Sequence, residues 1–263
     1  RITPGTKVLL VGDADQLESV GAGNVFRELI SSGLIPVTVL NEIFRQAKDS
    51  LIAYNAKFIN EENSNLYYGP DFAFTKAESQ DETAALIREL YRQEIVRTGM
   101  EQVQILSPFR SEGEASANGL NESIRDEVNP ASIDTPELIF GGKLFRLHDK
   151  VMQIKNNYDL ILTDSDGKQV SKGVLNGDVG TVCRVEEKKL QVNFDGNYAT
   201  YLAENVIELE LAYATTIHKA QGSEYDTVII PMLPAHRILL TKNLLYTAIT
   251  RAKHRVLLVG QKK

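Results

Sequence analysis

With 263 residues, 43% of them hydrophobic, the chain is long enough for one large or two unequal domains with a sizeable core. A formal net charge of −6 argues against a protein that coats nucleic acid by bulk electrostatics, but it leaves room for a narrow channel lined by a few cations. The single cysteine, Cys183, excludes an internal disulfide, and no Cys/His cluster suggests a metal site. No apolar run approaches the length of a membrane span and no signal peptide is visible, so a cytoplasmic protein with no membrane partner is expected. The chain opens on Arg1 rather than Met, which suggests a piece of something longer.

Residues 7–11 predict a short apolar strand running into Gly12-Asp13-Ala14-Asp15-Gln16-Leu17. A strand that ends in Gly-Asp puts carboxylate and amide groups at its carboxyl end, the edge where open α/β sheets bind ligands. On residue types alone the stretch is either a turn or a site. Asn24 caps a predicted helix that runs to Ser32 and stops at Gly33. Residues 37–40 read as the next strand and 50–60 as a helix, with Leu51, Ile52, Tyr54, Phe58 and Ile59 on its apolar face. Residues 63–76 are a loop with room for one strand. Ser79-Gln80-Asp81-Glu82 is a capping box that opens a helix to about Thr98. A strand at 103–106 is closed by Ser107-Pro108-Phe109-Arg110, where proline ends pairing, and residues 120–128 form the following helix.

From 147 to 208 helix periodicity disappears. Short β runs at 149–155, 178–186, 190–194, 198–202 and 206–211 alternate with turns at 164–167 and at Asp195-Gly196. This pattern predicts a small barrel, or else an antiparallel extension of the main sheet. Lys155, Asn156, Asn157 and Tyr158 are either a solvated loop or a nucleic-acid contact.

Residues 227–232 and 256–259 are apolar without alternation, so both read as strands buried on two faces. The segment between them predicts a helix capped by Thr241 with a stripe of Leu244, Leu245, Ala248 and Ile249, which makes a parallel βαβ unit that closes on Arg251. An arginine there is a solvated charge or a cation aimed at a ligand. Just upstream, Thr215, Thr216, His218, Lys219, Gln221, Ser223 and Glu224 crowd around Gly222, an unusual density of polar groups for the edge of a core. The run Thr-x-His-Lys-x-Gln-Gly-x-Glu, followed by Tyr-Thr-Ala-Ile-Thr-Arg-Ala, resembles motifs V and VI of superfamily 1 DNA helicases and looks closest to the RecD type, the exodeoxyribonuclease V alpha-subunit family.

That resemblance carries back along the chain. Gly-Asp-x-x-Gln is similar to motif III, whose glutamine lies near the γ-phosphate of ATP. Asn41-Glu42-Ile43-Phe44-Arg45-Gln46 resembles motif IV with its phosphate-reaching arginine, and Ser107 to Arg110 resembles motif IVa. It implies an α/β fold: a RecA-like, P-loop NTPase-type parallel sheet forming the second motor domain, with an inserted small SH3-like β-barrel. The implied divisions are 1–40 as the remnant of the first RecA-like domain, 41–146 with 207–263 as the second, and 147–206 as the insertion. Gln16, Arg45 and Arg251 become the catalytic candidates, Gly222 and Glu224 would border the nucleotide, and Ser107, Arg110, Thr216 and His218 would contact DNA.

No segment satisfies G-x-x-x-x-G-K-[ST]: Gly142-Lys143 is followed by Leu144 and lacks the first glycine at Glu137. The Asp-Glu pair of motif II is likewise absent ahead of Lys7. The resemblance therefore implies a C-terminal motor portion of an ATP-dependent 5′–3′ DNA helicase, which uses ATP and Mg²⁺ in the full-length protein, with neither expected on this stretch alone. Single-stranded DNA and the missing N-terminal part of the same chain are the expected partners, with RecB/RecC-like subunits where the parent works in a complex. A non-catalytic DNA-binding or subunit-docking module is the alternative, and RNA in place of DNA stays open.

Overall fold

The computed structural model describes residues 3–18, 21, 23–40, 50–63, 65–234 and 240–261. A five-stranded sheet organises the chain, built from β1 (Phe72–Lys76), β2 (Val103–Ser107), β12 (Ala214–Thr216), β13 (Tyr225–Met232) and β14 (Ala252–Gly260) in the order β1-β14-β13-β2-β12. Every pairing in it is parallel. The central strands alternate between two cores, which is why they are apolar without a break. Val228, Ile230, Val256 and Leu258 face one side, together with Ile52 and Ile59 of α2 (Leu51–Asn60) and Leu244 and Ala248 of α5 (Lys242–Ile249). Ile229, Leu257 and Val259 face the other, against Ile87 and Tyr91 of α3 (Gln80–Thr98) and Leu120 and Ile124 of α4 (Ala117–Val128). This is a helix–sheet–helix sandwich of the α/β class.

The helix starts follow their caps. Ser79 Oγ accepts from the Glu82 amide at 3.1 Å, Ser116 Oγ from Gly119 at 3.2 Å and Thr241 Oγ1 from Leu244 at 3.3 Å. Asn24 caps the short α1 (Val25–Ser31) in the same way. None of the described helices is long and apolar enough to cross a membrane.

Between α4 and β12 the chain forms a hairpin, β3 (Glu137–Phe140) with β4 (Lys143–Arg146), and then a seven-stranded antiparallel sheet. Its strands are β5 (Lys150–Gln153), β6 (Asn157–Thr163), β7 (Gln169–Val174), β8 (Val179–Glu186), β9 (Lys189–Phe194), β10 (Asn197–Leu202) and β11 (Leu209–Leu211), in the order β11-β5-β8-β9-β10-β6-β7. Alternation places Val182, Leu190, Val192, Ala199 and Tyr201 in one core with Phe145 and Leu138 from the hairpin. Asp195 and Gly196 both take positive φ, 51° and 83°, as a two-residue turn between β9 and β10 requires.

Two sequence expectations need correction. The barrel is not closed: β11 and β7 stand at opposite edges, because β11 runs within three residues into β12 and is tied there to the parallel sheet. Residues 7–11 and 37–40 are not paired strands. Leu9, Val11 and Leu40 are 86%, 87% and 92% exposed, and among the described residues no neighbouring strand gives their backbone groups a ladder to join.

The two sheets are joined through buried polar groups. Lys150, fully buried on β5, donates from Nζ to the carbonyls of Met100 (3.1 Å) and Val103 (2.8 Å) and to Gln104 Oε1 (3.1 Å). Gln104 Nε2 in turn donates to the carbonyls of Ala212 (3.1 Å) and Tyr213 (3.2 Å). The Tyr213 hydroxyl donates to Asp149 Oδ1 at 2.9 Å, which also receives Asn129 Nδ2 at 2.8 Å. Burial lowers the Lys150 ammonium from 10.5 to about 7, partly countered by Glu101.

Between about pH 7 and about pH 9 the folded lysine is largely neutral while the unfolded one still holds its proton. Unfolding then takes up a proton, and stability from this residue grows with pH; below about pH 7 the dependence flattens. In urea titrations the wild type should gain roughly 1 kcal/mol per pH unit over that window relative to Lys150→Met. At Gly180 a Cβ would stand 2.5 Å from the Asn193 carbonyl oxygen and 2.7 Å from Val192 Cγ1. Gly180→Ala should therefore cost about 1–3 kcal/mol, read as a lowered Tm.

Candidate nucleotide and single-strand interfaces

The loop 12–17 is laid against α5 and the turn that follows β12. Leu17 is held from both ends: its amide donates to Thr247 Oγ1 at 2.8 Å, and its carbonyl accepts Gln221 Nε2 at 2.9 Å. Asp13 Oδ2 accepts both Gln16 Nε2 and the Tyr246 hydroxyl, each at 3.0 Å, and Asn60 Nδ2 donates to Asp15 Oδ2 at 3.0 Å. Burial and then the Asp13 carboxylate push the Tyr246 hydroxyl up to about 12, so it remains a donor at neutral pH.

These contacts bring Gln16 to Arg251. Arg251 is only 8% exposed, at the amino ends of β13 and β14, and its Nη2 donates to Gln16 Oε1 at 3.2 Å. Nη1 donates to the Ser223 carbonyl and Nε to the Thr247 carbonyl, both at 3.2 Å, while Thr250 Oγ1 lies 3.4 Å from Nη2. Gln16 is thus oriented at both ends of its amide, by a carboxylate and by a guanidinium. Gly222 and Glu224 flank the Ser223 carbonyl. Gly222 has φ of +85° with open space where a Cβ would be, and Glu224 is exposed and paired with Lys253 at 3.4 Å. Arg45 lies outside the described residues.

The donor set of Gln16 and Arg251, a neutral amide beside a buried cation, suits an anionic oxygen. It does not suit a metal: among the described residues no group of three His, Cys, Asp or Glu is placed to hold an ion.

A second concavity opens at the carboxyl ends of β2 and β12, lined among others by Arg110, Asn118, Asn121, Thr216, Lys219 and Glu210. Ser107 and Thr216 are register neighbours across the two strands. The Ser107 hydroxyl is fully buried and spent within its own loop: it donates to the Ala115 carbonyl at 3.0 Å and accepts the Phe109 amide at 3.3 Å. Arg110 is exposed and Thr216 half-buried on the wall of the hollow, and His218 is exposed on the next turn. Arg110 reaches Glu210 at 2.6 Å and Lys219 reaches the same carboxylate at 2.8 Å. Lys143 Nζ donates to the carbonyls of Ile207 (2.8 Å) and Leu209 (2.7 Å) on the same border.

Several of these groups have no assigned role in the sequence motifs. Lys219 and Gln221 stand inside the Thr-x-His-Lys-x-Gln-Gly-x-Glu run without a stated partner, and the order of residues around Lys143 speaks only to the phosphate loop that it fails to form. Glu210 gives no signal at all, because it falls inside a run that reads as a strand.

Comparison with known proteins matches these parts in order. The UvrD-like helicase C-terminal domain model matches residues 211–259, the ATP-dependent RecD-like DNA helicase SH3 domain model residues 120–194, and an AAA domain model residues 1–81. An ATP-dependent RecD2 DNA helicase of Deinococcus radiodurans is 32% identical over 262 residues, covering 98% of this chain and 33% of that protein. The RecBCD enzyme subunit RecD of Mycolicibacterium smegmatis is 26% identical over 273 residues, covering 98% of this chain and 46% of the relative. The chain thus spans between a third and a half of these relatives' lengths. Among solved structures, Pif1 helicase from Bacteroides in complex with ADP-AlF3 and ssDNA superposes with a TM-score of 0.51 at 19% identity, over 94% of this chain and 60% of that one, a likeness of fold. With helicase models matched in sequence order and RecD relatives aligned along nearly its whole length, the chain belongs to the RecD-like helicase family.

Proposed function

We propose that this chain is the C-terminal motor portion of an ATP-dependent 5′–3′ DNA helicase of RecD type. The observation that carries the reading is the hydrogen bond from Arg251 to Gln16, 235 residues apart in sequence, which gathers a buried cation and a half-buried amide at one edge. Arg251 would act as an arginine finger together with Arg45, Gln16 would sense the γ-phosphate, and Gly222 and Glu224 would border the nucleotide. ATP, when bound, supplies the phosphoryl group whose transfer to water drives the motor. Such transfer depends on positioning and on stabilising developing charge, which is what a fixed guanidinium offers. To touch a phosphate oxygen, Nη2 must give up Gln16 Oε1, while the bonds to the Ser223 and Thr247 carbonyls keep the side chain aimed. In this reading the magnesium ligands and the phosphate loop would come from the first RecA-like domain of the parent protein.

Single-stranded DNA would lie along the concavity at the carboxyl ends of β2 and β12, with Arg110, Thr216 and His218 toward its backbone and Ser107 shaping the loop beneath. In this reading the β-rich insertion at 147–206 rides on the second RecA-like domain, and residues 1–40 belong to the first. The higher identity to the RecD2 helicase than to the RecBCD subunit supports a helicase of the former kind, and RecB- or RecC-like partners are not needed for the mechanism.

The isolated chain should show negligible ATPase activity in a phosphate-release assay; turnover that vanished in Arg251→Ala would overturn this. In the full-length protein, Arg251→Ala should lower kcat by roughly 10³–10⁵ with little change in ATP affinity. Arg110→Ala and Lys219→Ala should each weaken binding of a labelled oligothymidylate and make its log–log salt slope shallower by about 0.7 for each phosphate no longer neutralised.

A further inference from the structure

The concavity assigned to the single strand already holds an anion of its own. Glu210, half-buried on β11, presents Oε1 to Arg110 Nη2 at 2.6 Å and Oε2 to Lys219 Nζ at 2.8 Å. Lys143 stands at the same strand edge, fixed by the carbonyls of Ile207 and Leu209. Burial pushes the Glu210 carboxyl up, but the Lys219 hydrogen bond and the fields of Lys219, Arg110 and Lys143 outweigh it and hold the group below the usual carboxylate range. It is therefore ionised at neutral pH, with two cations in contact with the carboxylate and a third, Lys143, near enough for its field to be felt. Both of its oxygens are engaged, each by a different cation, much as two non-bridging oxygens of a phosphodiester would be. The Arg110 side chain is 61% exposed, and an ion pair that open to water is worth only about 0–1 kcal/mol, so an incoming phosphate can replace it at small cost.

We propose that Glu210 is a built-in phosphate surrogate: it occupies Arg110 and Lys219 while no strand is bound and is displaced by a backbone phosphate when one arrives. The proposal rests on the reading of this hollow as the single-strand contact. Binding is then an exchange of one anion for another. The net gain is the difference between two sets of ion pairs, which weakens the grip and makes release easy, as a protein that steps along a strand requires.

The test is fluorescence anisotropy of a labelled oligothymidylate, across a salt series, with the 263-residue chain as wild type, Glu210→Gln and Arg110→Ala, each checked for folding by circular dichroism. Glu210→Ala replaces the amide variant should that one not fold. The expected result is about tenfold tighter binding by Glu210→Gln, with a log–log salt slope steeper by roughly 0.7, because a further cation becomes free to capture a phosphate. If Arg110→Ala weakens binding but Glu210→Gln binds no tighter than wild type, the single-strand reading stands and the surrogate is overturned: the carboxylate then only orders the cations. If folded wild type and folded Glu210→Gln both fail to bind, the single-strand reading itself falls and takes the surrogate with it.

Discussion

A lysine amino group sealed between two sheets ties one to the other. Lys150 leaves the β-rich part and ends among the carbonyls of Met100 and Val103 at the foot of β2. Such a group is tolerated only if every donor is met, because an unpaired buried charge costs several kcal/mol. Its acceptors are fixed by neighbours that are themselves fixed: Gln104 spans from Lys150 to the carbonyls of Ala212 and Tyr213, and Tyr213 returns to Asp149. The antiparallel sheet is therefore not a loosely tethered appendage. A change of angle between the sheets would break several buried hydrogen bonds together, which makes the joint stiff.

That stiffness bears on the hollow at the carboxyl ends of β2 and β12. One wall comes from the parallel sheet and its following loop, through Thr216, Lys219 and Arg110; the other comes from β11, through Glu210. β11 pairs with β5, the strand that carries Lys150. The placement of the strand that carries Glu210, opposite the loop that carries Arg110, is thus inherited from the joint.

Some of this is legible in the amino-acid order because the physics is local. Two unbroken apolar runs around a capped helix can only be strands covered on both faces, and β13, α5 and β14 form as read. The Ser79 capping box and the Asp195-Gly196 turn are likewise set by neighbours in sequence. What escapes depends on partners distant in the chain. Residues 7–11 are as apolar as β2, but strand formation needs a neighbour, and sequence alone cannot report whether one is present. β6 and β7 go unread because only Leu160 and Val174 in them are buried, so their alternation is too weak to see. At the site, Gln16 and Arg251 stand in recognisable motifs and do meet, whereas Glu210 gives no hint, since a lone carboxylate on a strand reads as solvated until its two cations are placed around it.

Leu17 offers both its amide and its carbonyl to side chains that flank Arg251, Thr247 one helical turn before it and Gln221 two residues before Ser223. The beginning and the end of this chain are in that way meshed like the plates of a clutch. A guanidinium drawn toward an incoming phosphate would let go of Gln16 first, while Thr247 and Ser223 hold it aimed; because Leu17 follows Gln16 directly and is itself pinned to Thr247 and Gln221, engagement at one plate is felt at the other with no intermediate shaft.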